Sequence, residues 1–142
     1  MIVAWTRHLV IPTALIVVLT GSLLLHPVVC VVASSPVEYV VAEYGSHTLS
    51  KISVSGVRSE LHKFAQGTWP RNLVVDSDGN YIVTELLADV LSSVTPDGLR
   101  TVKYAFPRGT IPDGVAIDSG GNYVVTESGV SLLSRITPNG TR

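Results

Sequence analysis

The stretch Leu73-Val74-Val75-Asp76-Ser77-Asp78-Gly79-Asn80-Tyr81-Ile82-Val83-Thr84-Glu85 decides the fold of this chain. Its first three residues are a short continuous apolar run, the pattern of a strand buried on both faces. Asp76 through Asn80 supplies a tight turn: Gly and Asn tolerate positive φ at little cost, and an Asp side chain caps its own backbone. Tyr81 to Thr84 is rich in β-branched and aromatic residues, as a second strand should be. A second copy of this pattern, Val115-Ala116-Ile117-Asp118-Ser119-Gly120-Gly121-Asn122-Tyr123-Val124-Val125-Thr126-Glu127, lies 42 residues further on.

Outward from that stretch the period holds without a gap. Tyr39, Tyr81 and Tyr123 are 42 apart, and so are the columns Glu43/Glu85/Glu127, Leu49/Leu91/Leu133, Gly56/Gly98/Gly140 and Arg58/Arg100/Arg142. Residues 39–80 laid on 81–122 agree at 15 of 42 positions, and 81–100 laid on 123–142 agree at 10 of 20. A period of 40–45 with several strands per unit is the range of propeller blades. One full unit runs from Arg71 to Phe106: a first strand ending at Val75, a second over 81–84, a third over Val90–Thr95, then the Pro96-Asp97-Gly98 turn and a fourth over Arg100–Phe106. A small antiparallel sheet of this kind has one apolar face too many to stand alone and packs face to face on copies of itself. A two-sheet sandwich also uses short strands and regular turns, but it has no reason to repeat its sequence at fixed spacing. The reading is therefore all-β, a partial β-propeller built from radially stacked four-stranded blades.

The phase of the repeat sets how much of a ring is expected. Residues 37–64 carry strands two to four of a first unit, 71–106 a complete unit, and 113–142 strands one to three of a third, with Arg142 at the position that opens strand four elsewhere. That is about two and a half blades, whereas closed propellers use roughly four to eight. The expectation is a segment of a longer propeller, or a chain that needs self-association or missing blades to close.

Ahead of the repeats, Arg7 and His8 precede an apolar run from Leu9 to Leu25, and Val31-Val32-Ala33 leads into Ser34-Ser35-Pro36. A basic start, an apolar middle and a small-residue exit describe a secretory signal over residues 1–33, cut after Ala33. A retained membrane anchor is the alternative, since about 20 apolar residues span a bilayer, and Arg7 then keeps the N-terminus cytoplasmic. In both cases residues 34–142 are secreted or extracytoplasmic, and the only membrane contact expected is through residues 9–33. Cys30 is the sole cysteine, so the chain forms no internal disulfide, and Pro27-Val28-Val29 lacks the small residue that precedes a lipoprotein cysteine. Beyond residue 33 nine basic side chains face eleven acidic ones, a net charge of −2, dispersed and without a basic stripe. That excludes the electrostatic footprint of a nucleic-acid binder.

The segment Pro112-Asp113-Gly114-Val115-Ala116-Ile117-Asp118-Ser119-Gly120-Gly121-Asn122-Tyr123-Val124-Val125-Thr126-Glu127 resembles the core of an NHL-type repeat. Its continuation, Leu133-Ser134-Arg135-Ile136-Thr137-Pro138-Asn139-Gly140, resembles the matching part of virginiamycin B lyase-like propellers, a superfamily that also holds gluconolactonase-type enzymes. The likeness covers most of residues 37–142 and departs from the pattern where Arg71-Asn72 stands in place of Asp113-Gly114. It implies a ring of six or seven blades, with metal-dependent lyases and lactonases among its members as well as non-catalytic binding modules. Catalytic and metal-ligand residues in such enzymes come from several blades around the channel, and none of their catalytic motifs falls on a residue of this chain. The resemblance therefore implies a divalent metal only for a completed ring.

Within the repeats, Glu43, Glu85 and Glu127 form a column of carboxylates ending the second strands. A residue present in every unit does the same structural job in each, here read as accepting backbone N–H bonds from the following loop. Asp76 and Asp118 open the Gly-Asn turns as structural caps. A site needed once should break the repeat, and the repeat breaks where Trp69-Pro70-Arg71-Asn72 aligns with Ile111-Pro112-Asp113-Gly114. Arg71, Asn72 and Asp113 are the candidate ligand-binding residues, a cation, an amide and an anion at one mouth of the central channel. His47 and His62 align with Asp89 and Tyr104 and do not share a strand level, so they announce no metal site. Neither a Gly-x-Ser-x-Gly elbow nor a phosphate-binding glycine loop occurs. Asn139-Gly140-Thr141 is a glycosylation sequon on a turn that its Asn-Gly pair already explains.

These observations predict an exported propeller segment that acts as a scaffold for a protein or small-molecule ligand, without catalysis or cofactor of its own. The alternatives are part of a metal-dependent lyase or lactonase of the virginiamycin B lyase or gluconolactonase type, and a segment with no activity at all.

Overall fold

The computed structural model describes residues 39–142, so the expected leader or anchor over residues 1–33 and Cys30 lie outside the described residues. Every described element is a strand: β1 Tyr39–Glu43, β2 Thr48–Ile52, β3 Arg58–Lys63, β4 Pro70–Val75, β5 Tyr81–Glu85, β6 Val90–Val94, β7 Arg100–Ala105, β8 Pro112–Ile117, β9 Tyr123–Glu127 and β10 Leu132–Ile136. They form three antiparallel sheets, β1-β2-β3, β4-β5-β6-β7 and β8-β9-β10. The middle sheet is a whole four-stranded unit, and the others hold its second to fourth and first to third strands respectively. The chain is an all-β partial propeller, with strand bounds within a residue or two of those read from the sequence.

Register follows from the turns. The Asp76–Asn80 turn brings Val75 opposite Tyr81, and its copy brings Ile117 opposite Tyr123. Gly79 and Gly121 adopt φ of 84° and 78°, which an L side chain resists. The third-to-fourth strand turns work alike: the Thr95 hydroxyl accepts the Leu99 amide at 3.0 Å and the Thr137 hydroxyl accepts the Thr141 amide at 3.0 Å.

The first strand of the middle sheet shows why the apolar run is unbroken. Leu73 and Val74 are neighbours in sequence and point to opposite faces, and both are buried. Leu73 joins Leu49, Phe64, Val83 and Val94 in a cluster between the first and second sheets. Val74 joins Ile82, Leu91, Phe106, Tyr123, Val125 and Ile136 between the second and third. The middle sheet is thus covered on both sides, and the core is a pair of inter-sheet layers rather than one sandwich interior. Strand β4 packs against β8 on one side and β1 on the other, placing the first strands of successive sheets side by side.

Two further contacts repeat with the period. A Cβ on Gly98 would stand 2.4 Å from the Leu61 carbonyl oxygen, and one on Gly140 would stand 2.3 Å from that of Lys103. Each of these turns therefore nests its glycine against the outer strand of the preceding unit. Burial, reinforced by the nearby charges of Asp76 and Asp78 in the preceding unit, pushes the Tyr123 hydroxyl above its ordinary value.

Candidate functional site

The start of each first strand and the end of each second strand share one end of the sheets, because Pro70 pairs with Glu85 and Pro112 with Glu127. That end carries the break at Trp69–Asn72 against Ile111–Gly114. Arg71 extends from β4 and its Nε donates to Asp113 Oδ1 of β8 at 3.0 Å, so residues one period apart form a cross-sheet ion pair. Both side chains are largely open to water, 47% and 40% exposed, which makes the pair weak and exchangeable. Asn72 lies beside it on β4; its Oδ1 accepts the Leu73 amide at 3.0 Å, and its own amide donates to the Thr84 hydroxyl at 3.1 Å. The structure thus joins Arg71 and Asp113 directly, while Asn72 Oδ1 is occupied by the Leu73 backbone amide and the Asn72 side-chain nitrogen keeps its two donors.

Tyr44 and Trp69 lie beside Arg71 at the same end of the sheets, and sequence reasoning did not assign them to the candidate site. Their ring centroids lie 4.7 Å apart at 53°, and the Arg71 guanidinium sits 5.9 Å from the Tyr44 ring centre. Tyr44 aligns with Leu86 and Ser128, and Trp69 with Ile111, so neither aromatic recurs. The signal was present as two more breaks of the repeat, but the contact joins a loop after β1 to the residue before β4. Trp69 also holds a left-handed backbone, φ 56°, as does Ile111 at φ 54°. Such a conformation is uncommon for a bulky side chain and markedly so for a β-branched one. Beside these residues lies a mainly apolar concavity of about 420 Å³, lined by Leu73, Val74, Val75, Val115, Ala116 and Ile117 together with Asn72.

The glutamate column sits behind this surface, and its partners differ from the loop amides expected. Arg58 grips Glu43 with two bonds of 2.6 and 2.7 Å, Arg100 Nε reaches Glu85 at 2.7 Å, and an Arg142 guanidinium nitrogen reaches Glu127 at 2.9 Å. In the middle sheet the arginine opens the strand that pairs with the far end of β6, since Arg100 faces Val94 while Glu85 faces Val90. Its side chain therefore runs back across the sheet and acts as a strut from the fourth strand to the second. The spacing of 15 residues between each Glu and its Arg was visible in the sequence, but a strut across two intervening turns has no local pattern to reveal it. Glu85 is 0% exposed and its Oε2 has no hydrogen-bond partner, whereas Glu43 is 25% exposed. The Arg58 hydrogen bonds hold the Glu43 carboxyl down at about 2.

Asp76 and Asp118 are turn caps. Asp76 Oδ1 accepts the Asp78 and Asn80 amides at 3.0 and 2.8 Å, and Asp118 Oδ1 accepts those of Gly120 and Asn122 at 2.9 Å each. The Asn122 amide, helped by the Asn122 side chain and by Arg135, pulls the Asp118 carboxyl down to about 2. His62 Nδ1 lies 3.0 Å from the Gly98 carbonyl oxygen at an inter-sheet contact, and His47 Nδ1 is buried without a partner. At the position of His47, Asp89 instead accepts the Gly109 and Ile111 amides at 2.8 and 2.7 Å. Among the described residues no three His, Cys, Asp or Glu side chains converge as a metal would require, so no chemical step is assigned to a metal here.

Neither a protein-family model nor a curated protein sequence matches the chain. Solved structures do. It is similar to streptogramin B lyase at 25% identity and TM-score 0.67, covering 76% of this chain and 36% of that one. It is also similar to virginiamycin B lyase from Staphylococcus aureus at 23% identity and TM-score 0.66, covering 76% and 37%. A catalytically inactive form of that lyase with quinupristin gives 23% identity and TM-score 0.68 over the same shares. The fold is that of a virginiamycin B lyase-like β-propeller, and the chain spans little more than a third of the length of the lyases it matches.

Proposed function

We propose that the chain is an exported β-propeller segment acting as a ligand- or protein-binding scaffold, with Tyr44, Trp69, Arg71, Asn72 and Asp113 as its binding surface. One observation carries the reading: several residues that depart from the repeat meet at one end of the sheets, around the exposed Arg71–Asp113 pair and the Tyr44–Trp69 rings. The chemistry suits a ring-bearing ligand with a carboxylate. Its ring would lie on the aromatic pair, and its carboxylate would take the Arg71 guanidinium from Asp113, because a planar fork matches a carboxylate in two-point contact.

Titration of Trp69 fluorescence with benzoate, indole carboxylates and sugar acids tests this, with Trp69→Phe as the background control for Trp5. Saturable quenching by at least one class is expected, lost in Arg71→Ala and strengthened in Asp113→Ala, which frees the cation. No saturable change with any class, or equal responses in the two variants, would contradict it.

A second reading, part of a metal-dependent lyase or lactonase, is favoured only by the likeness to the streptogramin B lyases. Incubating the chain with quinupristin and a divalent cation, and following the intact compound by chromatography, separates the two. Loss of the compound would replace the scaffold reading with the enzymatic one.

A further inference from the structure

We propose that the gap between the first and second sheets holds a small ligand with a primary carboxamide on an apolar body. There His62, Phe64, Ala65, Glu85, Leu99 and Arg100 line a cavity of about 420 Å³. Its walls come from the end of β3 and the start of β7, whereas the Arg71–Asp113 pair joins β4 to β8. It is therefore separate from the surface proposed above, and neither reading depends on the other.

The strut at this cavity leaves hydrogen-bonding groups unused. In the first sheet Arg58 binds both carboxylate oxygens of Glu43, at 2.6 and 2.7 Å. Here Arg100 binds Glu85 only through Nε and Oε1, at 2.7 Å. Glu85 is 0% exposed and its Oε2 has no partner, although buried polar atoms are normally paired. The Arg100 side chain is 28% exposed and lies 5.9 Å from the Phe64 ring centre, so an incoming group meets the guanidinium first and the carboxylate beneath it. His62 Nδ1 stands 3.0 Å from the Gly98 carbonyl oxygen, which can only accept. That nitrogen therefore carries the proton, and Nε2 is left to accept. Two acceptors, Glu85 Oε2 and His62 Nε2, and the terminal N–H groups of Arg100 complement a primary carboxamide, which has two N–H donors and one carbonyl oxygen. A carboxylate lacks the donors and meets Glu85 charge against charge. An ammonium lacks the acceptor and meets Arg100 in the same way.

The cavity is also a break in the repeat. Phe64, Glu85 and Arg100 recur one period later as Phe106, Glu127 and Arg142, but His62, Ala65 and Leu99 give way to Tyr104, Pro107 and Thr141. His62 and Phe64 meet edge to face at 4.7 Å, as Tyr104 and Phe106 do at 4.8 Å. The framework thus recurs, while at this gap a histidine replaces the longer tyrosine, an alanine the proline, and a leucine the threonine. Smaller walls and an added aliphatic side chain suit a ligand whose body is apolar.

Nuclear magnetic resonance of the full chain in detergent tests this, following the Ala65 and Leu99 methyl groups and the Arg100 Nε–H. The titrants are isobutyramide and its charged analogues isobutyrate and isobutylamine. Saturable shifts are expected with the amide, and binding at least tenfold weaker with either analogue. His62→Tyr and Ala65→Pro each install the residue that the next unit already carries, so both should keep the fold and weaken amide binding at least tenfold. Arg71→Ala should leave it unchanged, which tells this site from the Arg71–Asp113 surface. No saturable shift with isobutyramide, an analogue that binds as tightly as the amide, or undiminished binding in both filled variants would overturn the proposal.

Discussion

Leu91 and Leu133 occupy the same position of successive units and offer one substitution in two environments. Leu91→Ala removes a side chain that is 0% exposed and packed among Val74, Ile82, Phe106, Tyr123, Val125 and Ile136. Truncating a buried leucine costs about 2–5 kcal/mol, set by how far the surroundings collapse. Here they belong to two strand-paired sheets that cannot close independently, which places the expected cost at roughly 3 kcal/mol. Leu133→Ala removes a side chain that is 68% exposed, and a surface change of this kind stays within about 0.5 kcal/mol. Urea unfolding followed by far-ultraviolet circular dichroism measures both, at concentrations low enough that the chain is dissociated. The midpoint should drop steeply for Leu91→Ala and hardly move for Leu133→Ala, with little change of slope in either. Equal losses for the two variants would refute the face-to-face stacking, since they would mean that phase in the repeat, not the neighbouring sheet, decides burial.

Four other outcomes follow from the same coordinates. Arg100→Ala should cost about 2–4 kcal/mol and more than Arg58→Ala, because it strands a fully buried carboxylate where Arg58→Ala leaves Glu43 in reach of water; thermal unfolding at neutral pH ranks them. Gly98→Ala should destabilise more than Gly109→Ala: both have positive φ, but only at Gly98 does the new Cβ strike backbone, at 2.4 Å from the Leu61 oxygen. Glu43 and Asp118 have folded values depressed to about 2, so their contribution is present above the ordinary carboxylate range and is lost as pH falls through that range toward 2; melting temperature should decline across that window, less so in Glu43→Gln. His47→Asp should stabilise by about 1 kcal/mol, replacing an unpartnered ring nitrogen with the loop-capping carboxylate that Asp89 provides one unit later, provided the Gly67 and Trp69 amides are reached as those of Gly109 and Ile111 are.

Much of this architecture was legible because its determinants are local. The Asp-x-x-Gly-Asn turns fix both strand ends and register within a few residues, and the doubled burial of Leu73 and Val74 writes itself as an unbroken apolar run. The struts were only half legible: the Glu and Arg columns could be counted, but their pairing depends on a side chain crossing the sheet. Arg71, Asn72 and Asp113 stood out as a break in the repeat, and the 42-residue offset of Arg71 and Asp113 became an ion pair because β4 and β8 lie side by side. Tyr44 joining Trp69 could not be read, since the contact depends on how two loops meet. The left-handed backbone at Ile111 runs against its own propensity, so nothing local announces it.

The most direct test of the stacked-blade account is a methyl-resolved nuclear Overhauser spectrum of the chain at low concentration. The account predicts cross-peaks within each inter-sheet cluster, linking Leu91 to the Tyr123, Val125 and Ile136 group and Leu49 to the Leu73, Val83 and Val94 group, and none from Leu133 to another sheet. Cross-peaks joining Leu49 to Leu91, as if equivalent faces met in a sandwich, would contradict it.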